Sequence, residues 1–137
     1  MKKLILALAL VLGLAFSASA AVQDFGAYTV DVPDDWSASK DGSTTAIIAK
    51  DNSGAVSITL EATNGMSAEA LAKAFVEQLK GTAPTKIAEN TYSFTFKQND
   101  VESKCVLEVD GAQYALVVIT GQNPKAEAIV NSLKEKK

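Results

Sequence analysis

Four groups of residues in this chain have types and spacings that could support chemistry. Asp31, Asp34 and Asp35 place three carboxylates within five positions, and a hard cation such as calcium takes several oxygen ligands at about 2.3–2.6 Å. Their spacing matches no known calcium loop, and Asp31 alternates with apolar neighbours that point inward, so the run reads as a solvated acidic turn. Ser37-Ala38-Ser39-Lys40 has the bare Ser-x-x-Lys order of penicillin-recognising serine enzymes. That chemistry needs the serine at a helix start with its lysine one turn on, together with further motifs. Here Asp41-Gly42 follow, and Lys80-Gly81-Thr82 runs in the wrong order for the partner strand. Cys105 is the sole cysteine and sits between Ser103 and Leu107 on the apolar side of an alternating segment. It reads as a small buried hydrophobe, with no histidine at hand to lower its pKa. Trp36, next to Asp34 and Asp35, either seals the rim of the core or anchors a partner, since tryptophan is enriched at interface hot spots. Asp34, Asp35 and Trp36 are therefore the candidate partner-binding residues.

What the chain lacks narrows its function further. It has no histidine and no arginine, all 13 of its basic residues being lysine. Histidine is the commonest general base and metal ligand near neutral pH, and arginine the usual bidentate clamp for carboxylate and phosphate. Without them most hydrolase, transferase and zinc or copper mechanisms lose their working groups. The expectation is a non-enzyme with no catalytic residues, no metal and no cofactor. Lysines are not clustered, and the overall charge is −3, so nucleic acid is not an expected partner.

The first twenty residues predict where the protein works. Met1-Lys2-Lys3 precede an apolar run from Leu4 to Phe16, then Ser17-Ala18-Ser19-Ala20. A positive start, a short apolar middle and small residues before the cut describe a secretory signal peptide over residues 1–20, removed at about Ala20–Ala21. Thirteen apolar residues are too few for a membrane span, which needs about 20. The mature chain would be residues 21–137, one domain of 117 residues carrying a net charge of −5 once Lys2 and Lys3 are removed. One cysteine permits no internal disulfide, and none follows the export segment to carry a lipid. The expected location is the periplasm or the cell exterior, with no integral membrane segment after cleavage.

The elements that must position these residues follow from hydrophobic periodicity. Tyr28, Val30 and Val32 alternate with Thr29 and Asp31 as in a half-buried strand that Pro33 stops, and Asp34-Asp35-Trp36 read as a turn. Thr45 to Lys50 and Val56 to Glu61 form two further strands joined by Asp51-Asn52-Ser53-Gly54. The period then changes. Ser67 is a helix N-cap, Leu71, Ala72, Phe75, Val76 and Leu79 form a helical stripe, and Gly81 is placed to end it. From Thr85 strand chemistry returns, with Tyr92, Phe94 and Phe96 on one side. A segment from Val101 to Val109 follows, Asp110-Gly111 favours a tight hairpin, and Ala112 to Thr120 is apolar on both faces, as in a central strand. Asn123-Pro124 open a last helix with Ala126, Ile129, Val130 and Leu133 on its buried side, and Lys134-Glu135-Lys136-Lys137 read as its solvated end. The predicted fold is α+β: an antiparallel sheet of about six strands in βββα-βββα order, with two amphipathic helices packed on it.

The segment Tyr28-Thr29-Val30-Asp31-Val32-Pro33-Asp34-Asp35-Trp36, an early strand ending in Pro-x-x-Trp soon after an exported amino terminus, resembles the opening of PsbP-like and DcrB-like proteins. The element order over residues 25–135 is similar as well. The resemblance implies an antiparallel sheet with helices on its faces. It also implies an accessory or protein-binding factor, with another envelope protein as the expected partner. A small-ligand carrier with an apolar pocket between sheet and helix is the alternative, and a histidine-free hydrolase a more distant one.

Overall fold

A computed structural model describes residues 20–26 and 28–135. The expected signal peptide, Ala20 apart, lies outside the described residues. The described residues form ten strands and two helices in the order β1 Ala20–Asp24, β2 Tyr28–Pro33, β3 Trp36–Asp41, β4 Thr44–Ala49, β5 Gly54–Ala62, α1 Ala68–Leu79, β6 Thr85–Ala88, β7 Thr91–Gln98, β8 Val101–Asp110, β9 Gln113–Gly121, α2 Lys125–Asn131 and β10 Lys134–Glu135. The α+β class and the two helices are as expected, but the strands outnumber the predicted six. The additions are short. Residues 20–24 pair with β2, Thr85–Ala88 form a separate strand paired with β7, and Trp36–Asp41 form a strand that begins at the last residue of the expected Asp34–Trp36 turn. Lys134 and Glu135 pair antiparallel with β2 and do not extend the last helix. Their alternation is too brief, or too polar, to stand out in the sequence.

Seven strands form one antiparallel sheet in the order β3-β4-β5-β9-β8-β7-β6, and β1-β2-β10 form a second, small one. Tight turns set the register of the large sheet. Asn99 and Asp100 both take positive φ, 53° and 66°, between the paired residues Gln98 and Val101. A two-residue hairpin loop needs that geometry to match strand twist.

Strand β9 lies at the centre, and its residues alternate between two cores. Ala115 and Val117 join Val56, Ile58, Ile47, Trp36, Val30 of β2, and Ala126, Ile129 and Val130 of α2. Tyr114 and Leu116 join Leu107, Cys105 and Phe94, beneath Leu71 and Ala72 of α1. The helices thus cover opposite faces: α1 lies over β7 and β8, while α2 and the small sheet lie over the β3–β5 side.

Local chemistry explains where each helix stops. The Ser67 hydroxyl accepts from the Ala70 amide at 3.1 Å, as an N-cap should. At the other end Lys80, not Gly81, takes the left-handed conformation (φ 58°), and the Gly81 amide closes the cap by donating to the Val76 carbonyl at 2.9 Å. Gly81 serves a different need: a Cβ there would sit 2.6 Å from the Thr95 carbonyl oxygen. Its absence lets the chain leave α1 flat against β7, where the Thr82 amide donates to that same oxygen at 2.8 Å. The last helix is held at its end by Ser132, whose hydroxyl donates to the Ile129 carbonyl at 2.6 Å and accepts from the Asp31 amide of β2 at 2.8 Å.

A buried hydrogen bond joins the two sheets. The Tyr28 hydroxyl of β2 donates to Thr45 Oγ1 of β4 at 2.6 Å, with the two residues 3% and 0% exposed. Leaving one partner of such a pair unmet in the core costs about 1–3 kcal/mol, whereas removing both is far cheaper. Tyr28→Phe and Thr45→Val are each expected to lower stability by that amount in urea unfolding, and the double variant to lose less than the sum of the two. Additive losses would show that the bond does not couple the sheets.

Candidate functional site

Three loops meet at one end of the large sheet: the β2–β3 turn, the β4–β5 turn and the β9–α2 connection. The carboxylate of Asp35 in the first binds Lys125 Nζ at the start of α2, at 3.1 and 3.2 Å. Its carbonyl accepts from the Lys50 amide at 2.8 Å. From the third loop, Asn123 Nδ2 donates to Ser53 Oγ at 2.8 Å, and its Oδ1 accepts from the Lys125 amide at 2.9 Å. Ser53 in turn donates its amide to Asp51 Oδ1 at 2.9 Å. Hydrogen bonds from Ser53 to the charged form hold the Asp51 carboxyl below its ordinary pKa.

The loops close tightly because two glycines sit where they cross. A Cβ on Gly54 would lie 2.8 Å from Asn123 Cβ and 3.2 Å from the Trp36 ring. Gly121 takes φ 92°, and a Cβ there would lie 2.6 Å from the Ser53 carbonyl oxygen. Any other residue at either place would push the β9–α2 loop off the turn it is tied to.

The candidate residues separate by exposure. Asp34 and Asp35 are exposed, while Trp36 is 3% exposed and belongs to the core under the turn. Its indole Nε1 is buried with no hydrogen-bond partner among the described residues. Trp36 therefore props the turn from below and offers almost no surface of its own. Asp31 meets Ser132 through its backbone amide and not its carboxylate, Asp34 and Asp35 are exposed, and no cluster of three or more potential metal-ligating acids, cysteines or histidines exists among the described residues.

Strand geometry separates the Ser-x-x-Lys pair. Ser37 and Lys40 both lie on β3, and residues three apart on a strand point to opposite faces. Lys40 Nζ instead donates to the Phe25 carbonyl at 3.3 Å. Cys105 is 1% exposed inside the α1 core, and burial pushes its thiol up to about 12. The aromatics Tyr92, Phe94 and Phe96 pack in the same core, covered by α1.

A feature the sequence did not signal lies beside this rim. A cleft of about 210 Å³ opens between β8, β9 and the start of α2, lined by Glu102, Lys104, Ile119, Gly121, Gln122, Asn123, Pro124 and Glu127. Glu102 and Lys104 are two apart on one side of β8, which alternation alone would reveal; that Glu127 of α2 faces them is set only by tertiary packing. A second cleft of about 280 Å³, at the end of α1, has Leu79 and Phe96 as its apolar part and a rim of Gln78, Lys80, Lys97 and Gln98.

The buried thiol and two tyrosines make stability sensitive to alkali. Burial raises the pKa of Tyr28 against a smaller opposing effect of its bond to Thr45, and burial with the nearby Glu61 charge raises that of Tyr114. Each group has a higher pKa folded than unfolded. Its contribution is whole below the unfolded value, 9.0 for the thiol and 10.0 for the tyrosines, and is lost as pH rises through the folded value. Stability should fall above about pH 9, by up to about 1.4 kcal/mol per pH unit for each group titrating only when unfolded. In Cys105→Ala the decline should start later, and folded wild-type protein should resist thiol reagents until denatured. Rapid labelling of the native protein would contradict the burial of Cys105.

No family model matches the chain, and no curated protein matches it. Similarity emerges among solved structures. The solution structure of cyanobacterial PsbP (CyanoP) from Synechocystis sp. PCC 6803 aligns over 91% of this chain and 99% of its own, with a TM-score of 0.62 and 8% identity. A crystal structure from Bacteroides thetaiotaomicron VPI-5482 aligns over 89% of this chain with a TM-score of 0.54 and 15% identity, and this chain spans 50% of that protein's length. Likeness at such identity is one of fold, and the fold of this chain is PsbP-like.

Proposed function

We propose that this protein is an exported, non-enzymatic accessory module of the bacterial envelope that binds another envelope protein through the loop end of its large sheet. The observation that carries the reading is the pairing of rigid support with exposed charge. Asp34 and Asp35 stand in solvent on a turn fixed by Lys125, by the Lys50 amide and by buried Trp36 beneath. A surface ordered before it meets its partner loses less entropy on binding than a mobile one. The PsbP-like fold, the signal-peptide pattern of residues 1–20 and the absence of histidine and arginine agree with the same reading. The kinship with DcrB-like proteins belongs to it too.

The carrier alternative finds less support. The cleft at the end of α1 has an apolar part of only Leu79 and Phe96, whereas a pocket that buries most of a small apolar ligand occupies roughly 300–1,000 Å³ with a mainly apolar lining.

The test is to express the full chain with a carboxy-terminal tag in a bacterial host, fractionate the cells and capture bound proteins from the envelope extract. A product beginning near Ala21 outside the cytoplasm, bringing down one protein that Asp34→Lys/Asp35→Lys reduces at least about tenfold, is the expected outcome. Full-length protein kept in the cytoplasm would overturn the export reading. Capture that is irreproducible, or indifferent to the double substitution, would overturn the docking reading.

A further inference from the structure

The cleft between β8 and α2 has a charge pattern that invites a ligand of its own. Glu102 and Lys104 project from the same side of β8, since they are two residues apart on one strand. Glu127 of α2 closes the opposite side, with Ile119 and Pro124 as its apolar surfaces. Among the described residues neither carboxylate forms an ion pair, and the Lys104 ammonium forms none either. Two carboxylates and one ammonium, all three exposed, therefore line a recess of about 210 Å³ without pairing with one another. At about 30 Å³ per water, that space holds on the order of seven waters, the bulk of a small molecule and well short of a cofactor.

The wall on the α2 side is fixed in advance. Gly121 is locked under the Ser53 carbonyl, Asn123 spends both ends of its amide on Ser53 and the Lys125 backbone, and Lys125 is held by Asp35. Of the two amide side chains lining the cleft, Gln122 alone is left for a ligand, since it makes no side-chain hydrogen bond among the described residues.

We infer that this cleft binds a small zwitterion of the size of an α-amino acid, its ammonium held between Glu102 and Glu127 and its carboxylate on Lys104. A lone cation would meet repulsion from Lys104, and a lone anion from two carboxylates. A molecule carrying both charges a few ångströms apart satisfies all three groups at once, and charge-assisted hydrogen bonds are the strong ones. This inference does not depend on protein docking at the Asp34–Asp35 turn, because none of the three charged groups lies in that turn.

The test is an amide chemical-shift titration of the mature protein with L-alanine to high millimolar concentration. Ethylamine and propionate serve as probes carrying one charge each. The expected result is saturable shifts confined to residues 102–104, 119–123 and 127, with half-saturation at lower concentration for L-alanine than for either control. Glu127→Gln and Lys104→Met, both on the surface, should each weaken binding about tenfold, while Glu69→Gln on the far side of the molecule leaves it unchanged. Absence of a saturable shift with L-alanine would overturn the inference. So would equal binding of ethylamine, or binding indifferent to Glu127→Gln and Lys104→Met.

Discussion

Both cores rest on one strand that must be dry on both sides. Residues 114–117 of β9 send Ala115 and Val117 to the core under α2, and Tyr114 and Leu116 to the core under α1. From Gln113 to Gly121 the strand carries no charged residue, because an ion on either face would be stranded in a low-dielectric layer. Its neighbours clamp it along nearly its whole length, β5 from Gly54 to Ala62 and β8 from Ser103 to Asp110. Anything that loosens β9 therefore loosens two cores at once, and the tolerance for polar change there should be the lowest in the chain.

This shared strand dictates the diagonal arrangement of the helices. With α1 over β7 and β8 on one face and α2 over the β3–β5 side on the other, each face of the sheet is covered on one half only. The uncovered halves differ in chemistry. Beyond α1 the sheet turns to hydroxyls that satisfy one another, Thr44 with Thr59 at 2.9 Å and Ser103 with Thr120 at 2.8 Å. Beyond α2 it turns to Glu102 and Lys104, which find no such partners among the described residues. The charged recess thus lies along the boundary where cover stops, the place where rigid backbone and exposed polar groups occur together.

Periodicity made the main elements legible. The helical stripe of Leu71, Ala72, Phe75, Val76 and Leu79, the N-cap at Ser67 and the two-faced apolar run of β9 each express burial directly, so their roles follow from local pattern. What stayed hidden depends on partners distant in sequence. Strand β3 reads Trp-Ser-Ala-Ser-Lys-Asp, whose alternation rests on Trp36 and the small Ala38 alone; it is a strand because β4 pairs with it from Ala49 to Thr44. Lys134 and Glu135 form a strand because Leu133 is fully buried just before them and delivers them to β2. At the loop end, Asp34, Asp35 and Trp36 were visible as a group, but the division of labour among them was not. The link from Asp35 to Lys125 spans 90 residues, and no local signal encodes it.

That link also explains how a chain without histidine or arginine can present a defined surface. Lysine is a poor clamp: its ammonium is a point charge on a flexible stem, with none of the planar fork that lets arginine fix a carboxylate by itself. The rim here compensates by crowding. Gly54 and Gly121 allow the three loops to approach until Asn123 and Trp36 touch the β4–β5 turn. Asn123 then supplies the fixed geometry, and the exposed pair of Lys125 with Asp35 adds direction more than energy, as surface ion pairs do. Much of the order at this end of the molecule comes from backbone proximity and from the neutral bond of Asn123 to Ser53, which salt screens little. The ion pair adds to a loop shape that the glycines make possible.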